Sequence, residues 1–192
     1  MPAYNKSTIQ EFQRQLNIRR KALPVLLRKE TALRQVLKSF KAETKAQREK
    51  TAKLFAKLKD WEDIWNDFTP MVQVEEVQRE RQNVAGTKVW SFKGVIFKDV
   101  QFNPRYEPAW MPAALEALQE YLRARLQLES MEDKLRSLEE ARKKTTQKVN
   151  LYEKVQIPEY EESIRRIKRF LEDKQNIATA AMKIVKNRNE AA

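Results

Sequence analysis

No cysteine and no histidine occur in the 192 residues of this chain. Their absence excludes disulfides, thiolate nucleophiles, the usual zinc ligands and the commonest general acid–base side chain. Glycine occurs twice and proline seven times, too little punctuation for a sandwich or a doubly wound sheet. No stretch approaches the roughly eighteen consecutive apolar residues of a membrane-spanning helix, and the start, MPAYNKSTIQEF, lacks the apolar centre of a signal peptide. The cytoplasm is therefore the expected location. What the chain does have is Ala, Leu, Lys, Glu, Gln and Arg, with 41% hydrophobic and 34% charged residues. That apolar fraction is lean for a compact globule but enough for narrow seams along long helices, so a rod is expected rather than a sphere.

The charge is lopsided. Residues 1–59 hold 16 Lys/Arg against four acids (Glu11, Glu30, Glu43 and Glu49), which gives +12, and residues 60–192 hold 23 of each sign, which gives zero. The whole net charge thus sits on the first third of the chain, as expected of a surface that meets an acidic or polyanionic partner. The plainer reading is a solvated helix face that serves solubility.

From Ser7 to Phe68 there is no glycine and one proline. Leu33, Leu37, Phe40, Thr44, Gln47, Thr51, Leu54, Leu58, Trp61 and Trp65 follow each other in steps of four and three, a sustained heptad seam. Ile9, Phe12, Leu16, Leu23 and Leu27 continue it upstream less regularly. Ser7 and Gln10 have capping-box spacing. Pro24 removes a backbone donor and predicts a kink or local defect. A helix over about 5–68 would run roughly 90 Å at about 1.5 Å per residue. A second pattern occupies about 113–187, with Leu115, Leu118, Leu122, Leu128, Met131, Leu135, Leu138, Thr145, Val149 and Tyr152 at seam spacing. After a phase slip around Pro158 it resumes with Tyr160, Ile164, Ile167 and Leu171, which reads as a stutter, with a gentle bend at the proline. Neither helix can bury its seam alone, so the two are expected to pair antiparallel as a coiled coil. In that pairing Thr44, Gln47 and Thr51 are expected level with Arg142 and Thr145, a polar layer that helps to fix register.

Between the helices the texture changes. MVQVEEVQ, the turn-prone RQNVAG and then TKVWSFKGVIFKDVQF read as a small β-hairpin or three-stranded meander, with Gly94 and Lys98-Asp99 as turn or bulge candidates. The expected organisation is one elongated, mainly α domain: an N-terminal helix over 1–68, a β-rich segment over 69–112 and a C-terminal helix over 113–192. The helices are expected to owe the middle segment little. Trp61, Trp65, Phe68, Trp90, Phe92, Phe97, Phe102 and Trp110 form either a small core capping the coiled coil or, in part, an exposed docking patch for other proteins.

No phosphate loop, dinucleotide turn, nucleophile elbow or metal-ligand cluster appears. The pairs Glu75-Glu76, Glu139-Glu140 and Glu161-Glu162 are neighbours on solvent-facing patterns, whereas a catalytic pair needs differently tuned carboxylates converging from separate elements. An enzyme is not expected, nor a bound cofactor or metal. The basic clusters Arg19-Arg20-Lys21, Arg28-Lys29, Arg142-Lys143-Lys144 and Arg165-Arg166 with Lys168-Arg169 could grip a phosphate backbone. They come without a recognised reader motif, and the aromatics sit at seam positions or in the middle segment rather than as stacking platforms.

The stretch KVNLYEKVQIPEYEESIRRIKRFLED resembles the signature of the D subunit of V-type and A-type rotary ATPases. Val149, Asn150, Glu153, Ile157, Pro158, Glu161, Ile164, Ile167, Leu171 and Glu172 carry the match. NVAGTKVWSF is similar to a second family stretch through Asn83, Val84, Gly86, Lys88 and Val89, and LLRKETALR to a third near the N-terminus. The chain departs from the family pattern at Leu151-Tyr152, at Pro24 and in a short, Ala-rich tail. The resemblance implies a central-stalk rotor shaft whose termini enter a ring of alternating catalytic A and B subunits. It also implies a middle segment near the small stalk F subunit and the socket subunit (C/d type) above the membrane ring. Nucleotide chemistry would belong to the A/B ring, so the shaft would be a non-catalytic coupling component, peripheral to the membrane, with no cofactor and no nucleic acid. Arg19, Arg20, Lys21, Arg165, Arg166, Lys168 and Arg169 then become candidate ring contacts, and Trp90, Phe92, Phe97 and Phe102 candidate docking residues for the lower stalk. The alternatives from other classes are a structural or adaptor coiled coil and a basic nucleic-acid-binding hairpin.

Overall fold

A computed structural model describes residues 4–59, 72–99 and 108–190. The element order is helix α1 (Lys6–Lys59), strand β1 (Val74–Val84), strand β2 (Thr87–Phe97), helix α2 (Met111–Asn150), a π-helical turn (Leu151–Gln156) and helix α3 (Ile157–Glu190). The chain divides into two compact units, one of residues 29–143 and one of residues 1–28 with 144–192.

In the unit of residues 29–143, α1 and α2 pair antiparallel. Lys41 bridges to Glu139 at 2.6 Å, Arg48 to Glu132 at 2.6 Å, and the rings of Phe55 and Tyr121 lie 5.5 Å apart, so partner numbers fall as α1 advances. The seam read from the sequence is the buried one: Leu33, Leu37, Thr44, Thr51 and Leu58 on α1, and Leu115, Leu128 and Leu138 on α2. Small or flexible residues complete the α2 face, with Met111, Ala114 and Ala124 also buried. Trp61 and Trp65 lie outside the described residues. The polar layer sits in a different register from the expected one. The Gln47 amide donates to the Ala124 carbonyl (3.4 Å) and to Gln127 (3.3 Å), and the Thr51 hydroxyl lies 3.4 Å from the same carbonyl. Arg142 is about 27 Å further along α2 at helical rise. Thr44 and Thr51 satisfy their hydroxyls on the carbonyls of Phe40 and Gln47 one turn back, both at 2.8 Å. They are thus buried without needing a polar partner on α2.

The middle segment forms one antiparallel hairpin, β1 against β2. Its two-residue turn is Ala85-Gly86, both with positive φ (49° and 73°), the backbone of a type I′ turn matched to strand twist. RQNV, expected in the turn, instead completes β1, with Asn83 opposite Lys88 and Val84 opposite Thr87. Glu75 and Lys93 are the extra residues at two register shifts, and Gly94 follows the second, so the glycine marks a bulge rather than a turn. The hairpin does not stand apart from the helices. Val89 is buried in one cluster with Leu33, Leu37 and Leu138, and Val84 and Ala85 pack on it. The Lys29 ammonium donates to the Gly86 carbonyl (3.2 Å), Lys134 to Gln82 (3.2 Å), and the Arg123 guanidinium lies 5.3 Å from the Phe97 ring. The expectation that the helices owe this segment little is thereby corrected: the hairpin lies along the pair and closes its core.

In the other unit the first part of α1 pairs with α3. Asn5 caps α1: its side-chain oxygen accepts from the Thr8 backbone N–H and from the Thr8 hydroxyl, both at 2.8 Å. The cap is therefore Asn5 with Thr8, not Ser7 with Gln10, and satisfies one orphan donor of the first turn. Phe12 meets Tyr160 with ring centroids 5.5 Å apart, Tyr4 meets Phe170 at 5.2 Å, and Arg20 bridges to Glu161 at 2.6 Å. Leu16, Val149, Ile164 and Ile167 are buried. Pro24 stands at an exposed position inside α1, which is helical from Lys6 to Lys59.

Candidate interaction surfaces

The signature segment surrounds a break in the helix. Val149 (6% exposed) ends the packed part of α2, Asn150 is exposed, and Leu151–Gln156 form the π turn, closed by the Ile157 N–H bonding to the Tyr152 carbonyl. Pro158 follows at an exposed site, Glu161 carries the bridge to Arg20, and Ile164 and Ile167 fill the seam. Glu153 is exposed in the π turn. The signature is thus a structural passage in which the helix changes phase, with no convergent reactive groups. The phase slip read from the sequence is this π turn, with its i→i+5 bonding, rather than a stutter between regular α-helices.

The basic candidates fall into two groups. Arg19 is committed within its own unit: its Nε donates to Gln156 at 2.6 Å and its Nη1 to the Gln15 side chain (2.7 Å) and carbonyl (3.0 Å). Its guanidinium also lies 4.8 Å from the Tyr160 ring centroid and 5.8 Å from that of Tyr152, a planar cation held between aromatic faces. Arg20 points to Glu161. Lys21, Arg165, Lys168 and Arg169 are exposed, and Arg166, also exposed, pairs with Glu162 on its own helix. Of the carboxylate pairs, Glu139, Glu161 and Glu162 each engage a cation at the surface, the behaviour of ordinary surface charge.

On the hairpin Trp90 is 55% exposed beneath the Arg81 guanidinium, 5.6 Å from its ring centroid. Phe92 and Phe97 are half-buried, and Trp110 is half-buried ahead of α2. Phe102, Trp61, Trp65 and Phe68 lie outside the described residues. A small cleft of about 70 Å³ between Trp90, Arg79 and the α2 residues Ser130, Asp133, Lys134 and Ser137 follows the edge of the hairpin. An open groove lined by Gln13, Leu16, Asn17, Arg20, Glu161 and Ile164 runs along the other unit. Among the described residues no group of three or more acidic, cysteine or histidine side chains is placed to hold a metal. None of their helices is long and apolar enough to cross a membrane.

One surface was missed from the sequence. Every described residue from Glu172 to Glu190 is exposed, and Ile177 (70%), Met182 (73%), Ile184 (56%) and Val185 (57%) are large apolar side chains among them. Phe170, Ile177 and Ile184 recur every seven residues, and Ala181 falls between the last two, so an apolar stripe continues along α3 past Leu171, its last half-buried residue among those described. The signal is present in the sequence: the apolar heptad spacing runs on past Leu171 to Ile177 and Ile184.

The profile of the family described as the D subunit of ATP synthase matches residues 8–187. The chain is 24% identical over 185 residues to the V-type ATP synthase D subunit of Borreliella burgdorferi, covering 95% of this chain and 92% of that one. It is 33% identical over 118 residues to the protein of the same name in Thermus thermophilus, covering 62% and 53% of the two chains. It is also 27% identical over 115 residues to that of Chlamydia muridarum, covering 60% and 57%. With the profile spanning the hairpin and nearly all of the three helices, the chain belongs to the family of ATP synthase D subunits.

Proposed function

We propose that the chain is the central-stalk rotor subunit of a V-type/A-type ATPase, coupling nucleotide turnover in an A/B catalytic ring to rotation of a membrane ion-translocating ring. The observation that carries this reading is the apolar stripe of α3, exposed from Phe170 to Val185. A helix that leaves such a stripe bare suits a surrounding protein sleeve, and the ring of A and B subunits is the sleeve that membership of this family offers. The +12 charge of residues 1–59 adds a long-range attraction to acidic collar surfaces that does not interlock and so permits sliding. Lys21 is an exposed cation of that segment, and the exposed Arg165, Lys168 and Arg169 of α3 would add to it. At the other end of the division of labour, Trp90 with the neighbouring Phe92 and Phe97 offers an anchor for the F subunit or the socket subunit.

In this role the chain performs no chemistry of its own. It presents different faces to three catalytic sites in turn and biases each between conformations. It works peripherally to the membrane as part of the complex. The test is reconstitution with an A/B hexamer. The chain should co-purify with the ring and raise its ATPase rate, while the isolated chain neither binds nor hydrolyses ATP. Saturable nucleotide binding by the isolated chain, abolished by one point mutation, would overturn the reading in favour of an enzyme.

A further inference from the structure

The π turn at Leu151–Gln156 has an arithmetic cause. Continued from Tyr152 in steps of four and three, the seam would fall on Gln156, Glu159, Ser163, Arg166 and Phe170. The packed apolar positions are Tyr160, Ile164, Ile167 and Leu171, each one residue later, with Ile164 and Ile167 buried to 8% and 2% exposure. One extra residue therefore lies between two otherwise regular seams, and a single π turn is the helical way to absorb one residue. The turn holds it loosely. It contains no buried residue, Leu151 and Val155 are 43% and 51% exposed, and its ladder closes through the Ile157 N–H to Tyr152 bond. Pro158 sits immediately downstream, where an α-helical register would set its ring against the Lys154 carbonyl. A widened turn relieves that clash.

Against this loosely packed turn stands one side chain from α1. Arg19 reaches Gln156, the last residue of the turn, at 2.6 Å, and its guanidinium lies 4.8 Å from the Tyr160 ring centroid and 5.8 Å from that of Tyr152. Its contacts fall on both sides of the extra residue, because Tyr152 belongs to the earlier phase and Tyr160 to the later one. We propose that the π turn is a torsional joint, about which α3 twists relative to the last turns of α2, and that Arg19 is the positioning residue that sets its resting angle. The inference stands on this unit's own packing and does not depend on the rotor reading.

Hydrogen exchange on the full-length chain, followed by mass spectrometry, tests it. Amides of residues 151–157 should exchange about tenfold or more faster than those of 133–148 and 161–168, because local opening there uncovers no core. Arg19→Met should speed exchange at 151–157 by about a further tenfold and leave 133–142 unchanged. In a Pro158→Ala background, which removes the ring that an α-helical turn would crowd, deletion of Val155 should place both seams in one phase, bring exchange at 151–157 to the level of the flanking helix and leave the melting temperature unchanged or raised. The control, deletion of the exposed Glu140 in α2, should lower it by slipping the Leu135–Val149 seam. Exchange at 151–157 as slow as in the flanks overturns the joint, as does a Val155 deletion that, in the Pro158→Ala background, destabilises as much as the Glu140 deletion in the same background. Exchange indifferent to Arg19→Met overturns the positioning role.

Discussion

Leu33 and Leu138 have no exposed surface, and they meet in the cluster that Val89 closes. Leu138→Ala should cost about 3 kcal/mol, since a truncated core leucine loses its transfer free energy and leaves a cavity that rigid neighbours fill only partly. Urea unfolding followed by circular dichroism measures it, and a loss below about 1 kcal/mol would show that the cluster is not close-packed. At the hairpin turn, Gly86 has φ +73° and the nearest atoms to an added Cβ are the flexible end of Lys29, at 3.5 Å. Gly86→Ala should therefore cost about 1 kcal/mol from backbone conformation, not crowding. Shortening Lys29 to Ala in the same background should not recover it. The surface bridges Lys41–Glu139 and Arg48–Glu132 leave about a third or more of each side chain in solvent. Removing either should change stability by less than about 1 kcal/mol.

At the scale of elements, the heptad seam of α1 was legible because burial on a helix repeats locally every three or four residues, and Leu33, Leu37, Thr44, Thr51 and Leu58 obey it. Axial register was not legible. Periodicity says which face of each helix is buried but not which residue lies opposite, so Gln47 meets Ala124 and Gln127 and not the level of Arg142. A slipped phase near Pro158 was visible as a gap in the seam. Whether a stutter or a π turn absorbs it depends on backbone bonding that no side-chain pattern encodes. The hairpin's existence followed from its β-branched and aromatic residues, but its packing depended on long-range contact between Val89 and both helices. Its removal is accordingly not neutral. Replacing residues 74–97 by a short flexible linker should keep the chain helical yet lower its melting temperature by about 5 °C, the scale expected when a buried valine's worth of apolar cover is lost. Exchange should rise around Leu33–Leu37 and Leu135–Leu138. A melting temperature unchanged by the replacement would restore the view that the helices stand alone.

For the whole molecule, the family was legible because the stretch from Val149 to Ile167 resembles the family signature in order and spacing, and the same stretch surrounds the helix's change of phase. The bare stripe beyond Leu171 was not read, because an apolar heptad normally signals a partner within the chain, whereas the proposed function gives this one a partner outside it. That difference separates stability from function along α3. Truncation after Lys174 removes Ile177, Met182, Ile184 and Val185, all more than half exposed, so the melting temperature should shift by less than about 2 °C, as for other changes away from packed sites. In the reconstituted complex the same truncation should sharply reduce stimulation of the A/B ring, because the lost stripe is the surface assigned to the sleeve. Binding of the F subunit and the socket subunit should persist, since Trp90, Phe92 and Phe97 are untouched. Replacing Ile177 and Ile184 together by Gln keeps the helix length and tests the stripe itself, so loss of stimulation in both variants assigns the effect to apolar contact rather than to length. Retained stimulation in the double Gln variant, with loss only on truncation, would mean that the arm acts through its reach. Full stimulation by both would remove the observation on which the shaft reading rests.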